Sequence, residues 1–237
     1  MKKIILSGCL AVTVLLAGNV KAQTYAEVEK ATLDNPFSME ALLSINGDTG
    51  INWNSPAFKL RYFVNDNIAV RLQLGLGDGS GNPMSEKNRF YENADGTGGE
   101  GLQTIKRSAM SLQLGGEYHF VGTQKLSPYA ALGINITTGK QTQSWEDFDG
   151  TGYVAGFSRE SEGGYTGFGA QLGLGADFYF VENVYVGLEI GLGIHAFNYK
   201  DQEATTTFGG TSNTGVVAGH KETYLSNYST VRLGWRF

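Results

Sequence analysis

GFGAQLGLGADFYFVENVYVGLEIGLGIH, residues 167–195, is the stretch on which the fold turns. Its first limb sets Phe168, Ala170, Leu172, Leu174, Phe178 and Phe180 against Gly167, Gly169, Gln171, Gly173, Gly175 and Asp177. The second sets Val184, Val186, Leu188, Ile190, Leu192 and Ile194 against Tyr185, Gly187, Glu189, Gly191, Gly193 and His195. Alternation of this kind sends successive side chains to opposite faces of a strand. A helix is disfavoured here, since each interior glycine costs it about 1 kcal/mol against alanine. Val181-Glu182-Asn183 alone separates the limbs, so they read as two strands joined by a tight turn.

The same period extends outward on both sides. It recurs over residues 37–45, 58–64, 68–76, 107–120, 129–136 and about 223–237, which makes eight alternating segments. Most are near the length that a tilted strand needs to cross a bilayer, about 9–11 residues. Tight turns at 65–67, 121–126 and 181–183 alternate with long polar stretches near 78–105, 139–162 and 198–220 and a shorter one near 46–55. The polar stretches are expected to be loops. Pro36, Pro56 and Pro128 fall at strand starts and Pro83 in a connection, where no ladder donor is missed. Strand eight is the irregular one, because Asn227 and Ser229 fall on its otherwise apolar face. A bulge there would bring Tyr224 or Tyr228 outward, and the phase of this strand stays open.

Composition agrees with β structure. The chain has 34 glycines in 237 residues with no three-residue period, which removes collagen. A mean hydropathy of -0.19 argues against spanning helices. The main long apolar run, Ile4 to Ala17, follows Lys2 and Lys3 and precedes small residues ending at Ala22. It reads as a cleaved secretory leader, residues 1–22, followed by a short segment 23–35 and the barrel from 36 to 237. Cys9 would leave with the leader; the apolar run lies mostly after it, which argues against lipidation there. The remaining chain would carry no thiol and 15 basic against 23 acidic side chains, a net -8. That disfavours a nucleic-acid partner.

Alternation does not say which face is inside. A soluble lipocalin-like barrel would turn its apolar face inward around a ligand. Three features favour the inverse arrangement. Gly, Ala, Ser and Gln dominate the polar face and suit a cramped lumen. Tyr118, Phe120, Phe178, Phe180, Trp235 and Phe237 all fall at the short-turn end, as an interfacial girdle would. Charge is nearly absent from the apolar face over the middle of each strand.

Tyr118-His-Phe120 with Ser127-Pro-Tyr129 and Gly133, the glycine-rich sixth and seventh segments, and the ending Leu233-Gly-Trp-Arg-Phe237 carry a resemblance. On these motifs the chain resembles the small bacterial outer-membrane β-barrel family, in the OmpX/OmpA/OmpW-like group, over roughly residues 36–237. The resemblance implies an up-and-down, all-β, eight-stranded transmembrane barrel with short periplasmic turns and long extracellular loops. It also implies insertion by the barrel-assembly machinery, with Leu233, Trp235 and Phe237 as assembly signal, and contact with lipid and lipopolysaccharide. Family roles range from adhesion to small-solute passage, and fold does not fix function.

Three groups of residues could carry chemistry. Glu40, Lys59, Arg61, Arg71, Arg107, Glu117, Asp177, Glu189, Arg232 and Arg236 share the lumen face and are expected to form a paired charge network, since buried charges persist only when paired. A narrow conducting path lined by the same groups is the alternative; a wide pore is excluded by strand number. His119, His195 and His220 are the second group. Outer-membrane lipid hydrolases resembling this chain in size place a serine two residues after the histidine, whereas Val121, Phe197 and Glu222 stand at that spacing here. An enzyme is therefore not expected, nor a cofactor: Gly167-Phe-Gly169 lies within an alternating run with no helix to cradle phosphate.

The third group is the polar connections, which hold charges of -3, -3 and -1 over 78–105, 139–162 and 198–220. Asp147-Phe-Asp149-Gly150 hints at a calcium loop, but Gly156 stands where the closing glutamate is required. Trp145, Phe148, Tyr153 and Phe157 would anchor an extracellular ligand. Lys106, at the rim of the apolar face, is placed to meet lipid phosphates. The leading expectation is a monomeric structural or surface-interaction barrel, with passage of small or hydrophobic solutes second and lipid modification a remote third.

Overall fold

A computed structural model describes residues 35–46, 50–77 and 84–237. The leader and nearly all of segment 23–35 lie outside the described residues, as do Asp78 and Pro83. Eleven strands follow in order: β1 (Phe37–Asn46), β2 (Gly50–Asn65), β3 (Ile68–Leu76), β4 (Ser85–Tyr91), β5 (Glu100–His119), β6 (Leu126–Phe148), β7 (Tyr153–Val181), β8 (Val184–Tyr199), β9 (Gln202–Phe208), β10 (Thr211–Val217) and β11 (Lys221–Arg236). All pairings between them are antiparallel.

Eight strands close on themselves in the order β1, β2, β3, β5, β6, β7, β8, β11 and back to β1. The closing seam pairs Ser38 with Arg236 through Ser44 with Thr230. Phe37 and Phe237 exchange backbone hydrogen bonds of 3.3 and 3.0 Å across it. Closure leaves the ring no unpaired edge, which is what an apolar environment demands of a sheet.

The faces are inverted relative to a soluble barrel. Leu60, Leu72, Leu112, Leu114, Leu132, Ile134, Leu172 and Leu192 point outward and are exposed, while the charged and amide side chains point inward. An apolar belt of this extent on the outside has to be covered by lipid. At the tight-turn end the belt is rimmed by Phe37, Tyr62, Tyr118, Phe120, Phe178, Phe180, Trp235 and Phe237, several in ring contact.

Cross-strand register explains the glycines. Gly175 lies between Tyr129 and Glu189, Gly187 between Asp177 and Arg232, and Gly234 between Glu40 and Tyr185. A Cβ at Gly187 would approach both Arg232 Nη2 and Asp177 Oδ1 to 2.6 Å. Small residues beside large ones let an eight-stranded lumen hold four large cations.

The same arrangement sets the phase of β11. Its register against β8 runs unbroken from Lys221–Asn198 to Trp235–Val184, with no bulge at Asn227 or Ser229. Tyr228 turns inward, because Gly191 opposite it leaves the space its ring occupies. Asn227 and Ser229 accordingly stay on the outward face, and Tyr224 also points to the lumen side, at its open end.

The polar stretches expected as loops are largely strand. β5, β6 and β7 continue well past the apolar belt, β4 pairs β5, and β9 pairs both β7 and β10. The result is an outer sheet in the order β4-β5-β6-β7-β9-β10. Beyond Ile136, β6 runs twelve residues further to Phe148, about 40 Å at the rise of a strand. These segments bury a few rings such as Phe148 but carry no continuous apolar face, so the signal that marks a membrane strand is missing.

The turns of this sheet are built from side chains. Asp149 Oδ1 accepts from the Thr151 N–H at 2.8 Å, the Thr151 hydroxyl at 2.7 Å and the Gly152 N–H at 3.0 Å. These bonds, the hydroxyl foremost, hold its carboxyl below the usual aspartate range. A depressed folded value means the contribution is full above the unfolded pKa, about 3.9, and is lost as pH falls through the lower folded one. The Thr151 and Gly152 amide resonances should therefore hold steady from neutral pH to about pH 4.5 and move only below the unfolded value. A midpoint above it would mean that the turn is not held this way.

Candidate functional site

The candidate site is the lumen at the level of the apolar belt. Arg61 Nη1 donates to Glu117 Oε2 at 2.9 Å and to Asp177 Oδ2 at 2.8 Å, and its Nη2 lies 2.9 Å from Glu40 Oε1. Arg232 reaches Glu40 at 3.2 Å and Asp177 at 2.5 Å. Arg71 donates to Glu189 at 3.1 Å and to Glu117 at 3.4 Å, while Lys59 lies 3.4 Å from Glu189 and 3.8 Å from Glu40. Four cations thus meet four carboxylates.

Phenols complete the set. Tyr129, Tyr185 and Tyr228 donate to Glu189, Glu40 and Glu189 at 2.7, 2.7 and 2.9 Å. Arg232 lies over the Tyr129 ring at 4.9 Å, and Arg61 over Tyr185 at 5.0 Å. All eight charged residues are 3% exposed or less. Every strand of the ring supplies a member: Glu40 from β1, Lys59 and Arg61 from β2, Arg71 from β3, Glu117 from β5, Tyr129 from β6, Asp177 from β7, Glu189 from β8 and Arg232 from β11. Arg61 and Arg71 stand directly opposite in register. That like-charge pair is disfavoured on its own and is bridged by Glu117.

A family model supplies the broader context. The family described as "Putative OmpA-OmpF-like porin family" matches residues 50–237. The chain belongs to this family. Among solved structures, a major outer membrane protein from Thermus thermophilus is 15% identical at a TM-score of 0.46, covering 85% of this chain and 98% of that one. OprG from Pseudomonas aeruginosa is 15% identical at 0.39, covering 90% and 99%. The N-terminal β-barrel domain of Pseudomonas aeruginosa OprF is 15% identical at 0.34, covering 86% and 98%. No curated protein sequence matches.

In this member of the OmpA-OmpF-like family the other candidate residues lie elsewhere. Arg107 is not in the cluster; it lies beyond the belt on β5 and pairs with Glu86 at 3.3 Å. Its position in the outer sheet, not its face, decides this. Arg236 is buried at the tight-turn end, where it reaches the Asn35 carbonyl at 3.4 Å and lies over Tyr179. Leu233, Trp235 and Phe237 point outward into the aromatic rim.

Of the four aromatic candidates for a ligand anchor, none sits in a free loop. Trp145 and Phe148 are on β6, Tyr153 and Phe157 on β7. Phe148 is buried beneath Phe90, their rings stacked at 3.8 Å, and Trp145 packs beside it under Arg159. Phe157 contacts Phe208. These rings hold the outer sheet together, which removes Phe148 from any exposed surface.

The Asp147–Gly150 stretch serves its own turn: Asp147 Oδ1 accepts from the Gly156 N–H at 2.6 Å. Among the described residues no group of three or more His, Cys, Asp or Glu gathers as metal ligands would.

One arrangement escaped the spacing argument. His119 Nδ1 lies 2.9 Å from Ser127 Oγ and its Nε2 3.2 Å from Glu117 Oε2. The serine comes from β6 across the tight turn, not from two residues along β5. The connectivity is that of a nucleophile triad, but the surroundings differ. Glu117 is already engaged by Arg61 and Arg71. His119 and Ser127 are 3% and 8% exposed, out of reach of a lipid ester. His195 sits higher, against Tyr224 at 5.6 Å, and His220 in the outer region bonds Glu222.

Proposed function

We propose that this OmpA-OmpF-like family member is a plugged, monomeric outer-membrane barrel whose role is structural and interactive. The observation that carries this reading is the neutral cluster in which seven ring strands supply ions and the eighth, β6, supplies the Tyr129 phenol. Opening a path through it would separate charges in a low-dielectric lumen, and unpairing a buried charge costs several kcal/mol. The barrel then acts as a rigid base for the outer sheet, with recognition through that sheet and not through conduction. In this reading the tight turns face the periplasm and the outer sheet faces outward into lipopolysaccharide. Lys106 stands beyond the belt, where it meets lipid phosphates. Assembly runs through the barrel-assembly machinery, with the β11 ending as signal, and no cofactor or catalysis is involved.

Planar-bilayer recording on the purified, refolded barrel tests this. We expect no unitary conductance steps and no uptake of small solutes by vesicles carrying it. Regular steps would instead favour the narrow passage. Lipid A from cells with and without the protein should have the same acyl pattern by mass spectrometry. A lost chain would overturn the non-enzymatic reading.

A further inference from the structure

On the outer-sheet side of the ion cluster the lumen is open. A cavity of about 500 Å³ lies there, within the range of small-ligand sites. Its floor and lower wall present four amides, Gln73, Gln113, Asn135 and Gln171. Its upper wall is aromatic, with Tyr165, Phe197, Tyr199 and Tyr224. Phe197 and Tyr224 lie parallel within 1°, their centroids 5.7 Å apart. Gly167 underlies this wall, for a Cβ there would come within 2.6 Å of the Phe197 ring. Among the described residues the lining includes no carboxylate, ammonium or guanidinium; its one basic side chain is the His195 imidazole beside Tyr224, a group largely uncharged above about pH 7.5.

One atom in the cup asks for a donor. Asn135 is 7% exposed, and its Oδ1 is buried with no hydrogen-bond partner among the described residues. Its Nδ2 reaches Thr137 Oγ1 at 3.5 Å. A buried amide oxygen without a donor is costly, and a ligand hydroxyl would recover that cost once the Asn135 amide turns toward the cup. The oxygen is closed to water as it stands, and water makes no use of an aromatic wall.

The chemistry selects a class of ligand. Above about pH 7.5, with His195 uncharged, a charged molecule would be desolvated here without a counter-ion. A purely apolar chain would leave the amides unpaired. Amides both donate and accept, as a ring of hydroxyls requires, and aromatic rings suit a C–H face. We propose that this cup binds a neutral saccharide, one pyranose ring against the Phe197–Tyr224 wall with its hydroxyls on the Asn135 and Gln113–Gln171 amides. The plugged-barrel reading is not needed for this, since the cup opens away from the cluster.

Isothermal titration of the folded full-length barrel in a sugar-free phosphocholine detergent tests it. The probes are glucose, galactose, N-acetylglucosamine and maltotriose, with glucose 6-phosphate and glucuronate as charged controls. Saturable binding of at least one neutral sugar is expected, with no binding of the charged ones. Maltotriose binding as tightly as glucose would assign the end of a longer glycan, whereas glucose binding alone would assign a free sugar. Tyr224→Ala, at the open mouth, should weaken binding about tenfold or more, and Asn135→Leu should abolish it. If Asn135→Leu does not fold, Tyr224→Ala decides alone. No saturable binding of any neutral sugar overturns the proposal, as does equal binding of the charged controls or an affinity unmoved by Tyr224→Ala.

Discussion

Asp177→Ala should cost the barrel about 3–5 kcal/mol, the range for breaking a buried pair by removing one partner. The carboxylate receives Arg61 on one oxygen and Arg232 on the other. Without it, both guanidiniums share Glu40, and a cluster of four cations and four carboxylates becomes net positive in a site 3% exposed or less. Backbone movement offers little relief, because Asp177 pairs in register with Gly187, which in turn pairs with Arg232. Asp177→Asn keeps the volume and should lose nearly as much, which separates charge from packing. The control is Glu162→Ala on the outer sheet. Glu162 pairs with Lys140 at 2.6 Å with both side chains more than half exposed, so its loss should stay within about 1 kcal/mol. Urea midpoints in lipid vesicles, at unchanged slope, read both. Similar small losses for Asp177 and Glu162 would mean that water reaches the cluster and that the lumen is not plugged.

The ring was legible wherever one face of a strand meets lipid and the other a narrow lumen, because two unlike environments impose period two. Lys59 and Arg61 on one side of β2 and Leu60 and Tyr62 on the other follow from this alone. Partners within the lumen were not legible in the same way. Arg61 and Asp177 are 116 positions apart, and their meeting depends on ring closure and on the glycines opposite the large side chains. Tyr228 shows the cost of reading a strand singly: its inward turn is set by Gly191 across the seam with β8.

The outer sheet was missed for a physical reason. Residues 202–217 have water on both faces, so hydrogen-bonded pairing persists with no hydropathy signature. A local signal was nevertheless present. Gly209 and Gly210 take φ of 59° and 78°, the conformation of a two-residue hairpin turn for which Gly-Gly is a preferred sequence. Ser127 escaped for a related reason. A spacing rule looks along one strand, whereas the tight turn brings β6 beside β5, with Tyr129 opposite His119.

Adjacent residues on β5 give the sharpest check on the inside-outside assignment. Leu112 is 47% exposed on the outward face, in register with Leu74 and Ile136, midway along the apolar belt. Gln113 is 5% exposed on the inward face, and its Nε2 donates to Gln171 Oε1 at 3.0 Å. Leu112→Arg places a cation against hydrocarbon near the midplane, where the cost is about 2–4 kcal/mol. Snorkelling is least effective there, with about equal strand length to either interface. Gln113→Ala removes one amide hydrogen bond, worth about 1 kcal/mol, and leaves Gln171 beside an open cup. The two variants should therefore differ by a factor of two or more in lost stability on refolding into vesicles, with Leu112→Arg the worse. If Gln113→Ala costs as much, the lipid lies on the amide side, and both the plugged lumen and the cup beyond it fall together.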